Sequence, residues 1–283
     1  MEKIAIAICG SAGVDYVTKD HGMRVFRSKI SINGVEYVDY VDISTEQFYF
    51  LLKDAKELHT AQISTGELIN LIKDYRNEGY TDLIMITLSS GLSGTYQNVR
   101  LAAMDIENIN VHVFDSLFVG FPSANLGLVG MELIKKGYSA KEIVEKLTYI
   151  RDNSYLCFTV ETLEYLRLNG RLSNASAFVG NLLKIKPILH FNDLGQVVVK
   201  EKIRTKSKAV STMIDSVLED IKGKNVTPFL MYSDNFEELC EIREVIKEKA
   251  PELGELAIYN IPPVIGVHCG PGTVGIGYIP NID

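Results

Sequence analysis

The sequence predicts an α/β protein with a mainly parallel N-terminal sheet covered by helices, a small β-hairpin insertion, and a second α/β domain after it. Three observations lead there. Up to about residue 151, short apolar runs alternate with helical periodicity, the rhythm of βαβ units. Asn33-Gly34 lies inside the alternating stretch 25–38, and both residues tolerate the positive φ of a type I′ hairpin turn. From about residue 152 the order changes to hairpin, helix, strand, helix, strand, which reads as a second unit beginning near Ser154. The expected boundaries are 1–153, with the hairpin at about 22–42, and 154–283. No low-complexity linker separates the halves, so they should pack closely.

The elements follow in order. Ile4 to Ile8 is a buried strand run. Ser44-Thr45-Glu46-Gln47 is a capping box opening a helix through Phe48, Leu51 and Leu52, and a second helix spans Gly66 to Asn77. Leu83 to Leu88 is a strand, followed by the turn Ser89-Ser90-Gly91-Leu92-Ser93-Gly94 and a helix from Thr95. Val111 to Phe114 is the next strand; the helix after it starts near Pro122, a residue suited to a first turn. Ser139 to Glu142 is another capping box, for a helix to about Arg151. In the second half, Ile188 to Ile203 reads as a hairpin around Asp193-Leu194-Gly195, and Thr205 to Ile221 as a helix. Strand Thr227 to Tyr232, helix Asn235 to Lys249 and strand Leu256 to Ile261 follow, then a Gly/Pro-rich turn and a last strand, Val274 to Ile279.

Composition narrows function. A net charge of −7 gives no bulk attraction to nucleic acid or anionic membrane, and no apolar run approaches a membrane span. Residues 1–8 read as a first strand without a cleavage-like segment, so a cytoplasmic protein is expected. Cys9, Cys157, Cys240 and Cys269 are scattered without metal-binding spacing and read as reduced thiols, so neither a metal nor a cofactor is expected.

Ser89 to Thr95 is the strongest chemical signal. It joins a strand end to a helix start, where backbone N–H groups face the crevice of a parallel sheet. Its glycines admit close approach, and Ser90, Ser93 and Thr95 supply hydroxyls, so it suits an oxyanion; the plainer reading is a helix cap. Ser93 does not sit in a nucleophile elbow, because Gly91-Leu92-Ser93-Gly94-Thr95 lacks the final glycine. Gly270-Pro271-Gly272-Thr273-Val274-Gly275 matches Gly-x-Gly-x-x-Gly, but only eight residues follow it, too few for a dinucleotide-binding unit. Its glycines read as a tight turn that brings His268 to a crevice. Arg167 and Arg171 would share a helical face if the helix ran through Gly170. Lys200 to Lys208 is a basic cluster suited to an acidic partner or simply an exposed edge, and Ala175 to Leu189 is an apolar run that would line a channel or a core.

Taken together, these segments resemble the DegV family. The carriers are Gly34 to Tyr37 with Val41 to Ser44, Thr60-Ala61-Gln62, Ser89 to Tyr96, Phe114-Asp115-Ser116 and Leu166 to Leu172. Further along come Lys186 to Leu189, Arg204 to Ala209, and Val264 to His268 with Gly270-Pro271-Gly272. The resemblance implies a three-layer α/β/α domain followed by a two-layer α/β domain with a mixed sheet. It implies a lipid carrier without turnover of its own, similar to the FakB subunits of bacterial fatty acid kinase. A long-chain fatty acid would place its carboxylate on Thr60, Ala61, Ser93 and His268, supported by Ser90, Gly94, Thr95 and Arg171. Its acyl chain would enter a tunnel, and a fatty acid kinase catalytic subunit would dock at Arg167, Arg204 and Lys206. Two departures stand out: Cys9-Gly10-Ser11 where the family has Thr-Asp-Ser, and Thr60-Ala61-Gln62-Ile63 where it has Thr-Ser-Gln-Pro. The rival reading is a small hydrolase or acyltransferase using Ser93 and His268.

Overall fold

The computed structural model describes residues 2–173 and 185–282. In the N-terminal half the order is β1 (Ile4–Cys9), α1 (Val14–Val17), β2 (Arg24–Phe26), β3 (Lys29–Ile32), β4 (Val35–Val38), α2 (Thr45–Leu52) and β5 (Leu58–Ala61). Then come α3 (Thr65–Asn77), β6 (Asp82–Thr87), α4 (Thr95–Ala103), β7 (Asn110–Asp115), α5 (Phe121–Lys135) and α6 (Ala140–Asn153). The C-terminal half holds β8 (Tyr155–Thr159), α7 (Glu164–Leu168), β9 (Ile188–Phe191), β10 (Val197–Glu201), α8 (Lys206–Asp220) and β11 (Val226–Tyr232). It ends with α9 (Phe236–Lys249), β12 (Ala257–Asn260), α10 (Pro263–Cys269) and β13 (Val274–Pro280).

The first sheet, in the order β2-β1-β6-β7, is wholly parallel. The two-residue period of a strand sorts its side chains. Ala5, Ala7, Leu83 and Met85 face Leu68 and Ile72 of α3 and Val99 of α4. Ile6, Ile8, Ile84 and Ile86 face Leu126 of α5 and Ile143 and Leu147 of α6. Three layers result, as expected for such a strand pattern buried on both faces. Ser44 and Ser139 make the expected capping boxes, and Ser64 makes a third with Glu67.

Alternation over residues 25–38 predicts one hairpin, and the structure divides it. Phe26 is buried in the core beneath α3 and α4, which keeps β2 in the parallel sheet beside β1. The hairpin is β3–β4, turning at Asn33 (φ 50°) and Gly34 (φ 82°) with Ile32 opposite Val35. β5 then adds to the other edge of β3, making a three-stranded sheet the sequence reading did not anticipate.

The C-terminal sheet runs β10-β9-β8-β13-β11-β12 and is mixed, with only β11–β12 parallel. One face is covered by α8 and α9 through Met213, Val217, Leu239 and Ile246. The other turns toward the N-terminal half, where Leu156, Phe158 and Met231 join the cluster containing Ile8 and Phe118. Of the apolar run expected to line a channel or a core, residues 175–184 lie outside the described residues. Among the described residues no helix is long and apolar enough to cross a membrane.

Candidate functional site

Between the open face of the C-terminal sheet and the carboxyl ends of the parallel strands lies a cavity of about 340 Å³. That is within the roughly 300–1,000 Å³ range of small-molecule sites. Ser11 after β1, Leu88, Leu92, Ser93 and Gly94 after β6, and Val119-Gly120 after β7 bring three strand ends to one wall, the position where open parallel sheets bind ligands. The body is apolar, with Leu156, Phe158, Phe191, Val197 and Met231 from the opposing sheet. One end is polar, where Thr60, Gln62, Ser93, Arg171 and His268 converge from four separate segments.

Each segment has a local cause. Asp115 at the end of β7 accepts the N–H groups of Ser90 (3.1 Å) and Leu117 (3.0 Å), fixing the loop after β6. The Ser89 hydroxyl donates to the Gly195 carbonyl (2.6 Å), tying that loop to the β9–β10 hairpin. A Cβ on Gly91 would lie 2.4 Å from the Leu194 carbonyl oxygen, so the two backbones meet where only glycine fits. Ser93 follows, with its hydroxyl 2.9 Å from that of Thr95.

His268 rides on α10, a helix where the sequence reading expects a turn. Pro262 and Pro263 carry no N–H, and the N–H groups of Ile265 and Gly266 both reach the Pro262 carbonyl. The remaining first-turn donor, Val264, is taken by the buried Asp39 carboxylate (3.1 Å). Asp39 also accepts from the Tyr16 hydroxyl (2.9 Å). Burial raises its pKa to about 6, opposed by these hydrogen bonds and by Arg27. At the far end, the Asn169 amide donates to the Val267 carbonyl (3.3 Å). Gly266 lies against Phe48 and Tyr49, where a Cβ would fall 2.7 Å from the Tyr49 hydroxyl.

So placed, His268 Nε2 lies 3.0 Å from Thr60 Oγ1, while Nδ1 is buried without a hydrogen-bond partner among the described residues. Burial, with Arg171 second, pushes its pKa down to about 4, so the imidazole is neutral at pH 7. Arg171 enters the cavity because α7 stops at Leu168 and Gly170 takes φ 69°. Its Nε donates to the Leu92 carbonyl (3.3 Å) and its Nη1 to the Asn169 carbonyl. Arg167, on the last turn of α7, is exposed instead, so the two arginines do not share a helical face. Cys269 also lines the cavity, but burial pushes its thiol up to about 11 and leaves it protonated.

The cavity therefore gathers Thr60, Ala61, Ser93, Gly94, Arg171 and His268. Thr95 is buried behind Ser93, and Ser90 is exposed outside the lining. Arg204 is exposed, and Lys206 bridges Glu238 (2.7 Å) and Glu161 (3.6 Å). Sequence reasoning left Gln62, Ser11, Ser28 and Asp39 out of the site. Gln62 had a signal in its position beside Thr60-Ala61; Asp39 acts through a helix 225 residues away and had none.

The family model described as an uncharacterised protein of the DegV family matches residues 3–281. The chain belongs to the DegV family. A DegV domain-containing protein of Staphylococcus aureus strain N315 is 34% identical over 249 residues, covering 87% of this chain and 86% of the relative. The solved structure of a fatty acid binding DegV family protein from Streptococcus agalactiae superposes with a TM-score of 0.93 at 30% identity, covering 100% of both chains. DegV of Bacillus subtilis, described as a fatty acid binding protein, gives 0.88 at 32% identity over 99% of this chain and 100% of that one. The two-domain architecture is thus the DegV fold, with its cavity at the junction of the two sheets.

Proposed function

We propose that this chain is a fatty-acid carrier that holds the carboxylate of a long-chain acid at Thr60, Ser93 and His268 and lays the acyl chain along the apolar face of the C-terminal sheet. The observation that carries this reading is the continuity of one cavity, polar at one end and apolar along its body. A buried carboxylate is costly unless hydrogen-bonded. Two hydroxyls, an imidazole and a nearby guanidinium answer that need. The acyl chain supplies affinity at about 0.8 kcal/mol per buried CH₂, so the head-group contacts mainly set orientation. Ala61 brings no hydroxyl to the polar end, which leaves Thr60 as the donor of that segment.

A carrier fits better than a hydrolase because Ser93 pairs with Thr95 and His268 with Thr60, so no nucleophile–base pair is joined. The bound acid would be presented to a kinase that forms an acyl phosphate, with the exposed Arg167 and Arg204 as docking cations. Lys206 would have to leave its carboxylate partners to take part.

Native mass spectrometry of the purified protein is expected to find a co-purifying fatty acid. Ser93→Ala and His268→Ala should each weaken binding about 10- to 150-fold, the loss of one hydrogen bond to a charged group, with the melting temperature little changed. Absence of any lipid, together with an esterase activity that Ser93→Ala abolishes, would overturn the carrier.

A further inference from the structure

A hydroxyl that holds an anion must direct its single proton at it. Ser93 Oγ accepts the N–H of Thr95 (3.2 Å) and lies 2.9 Å from Thr95 Oγ1. Thr95 is 1% exposed, so its hydroxyl has no water to turn to, and its other neighbour is Gln62 Oε1 at 3.4 Å. The segment carrying Gln62 is pinned to α4: buried Asn98 donates to the Ile63 carbonyl (2.9 Å) and accepts from Thr65 (2.6 Å).

Two proton orders satisfy this row of groups. With the amide oxygen toward Thr95, Thr95 donates to Gln62 and Ser93 donates to Thr95. Ser93 then presents only lone pairs to the cavity. With the amide turned so that its NH₂ group faces Thr95, Thr95 donates to Ser93, whose own proton is free for a ligand oxygen. The two ends of an amide have nearly the same shape, so both orders fit one backbone.

We propose that Gln62, acting through Thr95, is a positioning residue that sets the direction of the Ser93 proton and so decides whether the polar end accepts a carboxylate or an uncharged head group. The proposal rests on the reading that a carboxylate sits at Ser93. Of its working parts, Thr95 lies outside the cavity lining.

The test is a double-mutant cycle read as the ratio of affinities for a 16-carbon acid and the 16-carbon alcohol. Gln62→Glu can only accept, so it locks Ser93 in the wrong order; the acid-to-alcohol ratio should fall about 10- to 150-fold. In the Thr95→Val background the relay is cut, and the same Gln62→Glu change should cost at least about tenfold less. Thr95→Ser, which keeps the hydroxyl, should restore the full effect of Gln62→Glu. Equal losses in all three backgrounds mean simple repulsion by the new charge and overturn the relay, as does a ratio that Gln62→Glu leaves unmoved. If the wild-type protein binds no acid, or Ser93→Ala leaves its affinity unchanged, the carboxylate reading fails instead.

Discussion

The two faces of the six-stranded sheet are built from the same strands and have opposite fates. On β8, β11 and β13, Cys157, Leu230, Val274 and Ile276 point toward α8 and α9 and are sealed. Their immediate neighbours Leu156, Phe158, Met231 and Gly275 point the other way and line the cavity. Both faces are apolar, so hydrophobicity does not distinguish core from ligand site. What differs is the opposing wall: two amphipathic helices fill the first face, whereas the second meets strand-end loops that leave a cavity between them. The space is made by what does not reach it.

The largest effect should come from the sealed face. Leu230→Ala there removes a fully buried side chain and should lower unfolding stability by about 2–5 kcal/mol in denaturant titrations. Fatty-acid affinity of the folded fraction should hardly change. A loss of affinity as large as the loss of stability would mean that the faces are not independent.

Next is the open face. A Cβ on Gly275 would make ordinary contacts of 3.4 Å with Leu156 and Met231, so the backbone can accept a side chain. Gly275→Leu should fill cavity volume and displace roughly two methylenes of a long chain, about 1.6 kcal/mol or 15-fold in affinity. Shorter acids should be spared in a chain-length series, with the melting temperature nearly constant. Equal losses at every chain length would place the acyl group elsewhere.

The most gradual effect is electrostatic and belongs to the polar end. His268 has a native pKa of about 4, below its usual 6.5. Between those values the unfolded chain binds a proton that the native state refuses, so this group lowers stability as pH falls from about 6.5 toward 4. Its slope is at most about 1.4 kcal/mol per pH unit. Asp39 acts oppositely: its native pKa of about 6 is above the usual carboxylate value, so its contribution falls as pH rises through that window. The difference between wild type and His268→Gln therefore isolates the histidine. Wild type should lose stability relative to His268→Gln as pH falls toward 4, and a difference flat in pH would mean that His268 is not buried neutral.

Legibility in the sequence followed locality. Asn33-Gly34 and the capping boxes at Ser44 and Ser139 announced their elements because their chemistry lies within four residues. Ser64 carries the same signature and was passed over. β5 was not recognised because its one strand partner, β3, lies 26 residues back, and nothing within Leu58–Ala61 declares it. α10 was hidden by two prolines and two glycines that resemble a turn, although a proline at the first helical position favours a helix. The Ser93 turn and His268 could be singled out as chemistry. Their meeting beside Thr60 follows from the family resemblance alone and has no local signal, since it depends on Asp39 and Gly266 docking α10 against the hairpin region.

That docking has a consequence in time. A ribosome releases Thr60 and Asp39 early and His268 some two hundred residues later, and N-terminal domains generally fold first. The parallel sheet and the hairpin can be complete while the polar end still lacks its imidazole. Only when α10 emerges and offers its Val264 N–H to the waiting Asp39 carboxylate is the polar end of the cavity complete. On the proposed reading, lipid capture would wait until α10 has emerged, and a chain stalled short of it would be folded in its first half yet empty-handed.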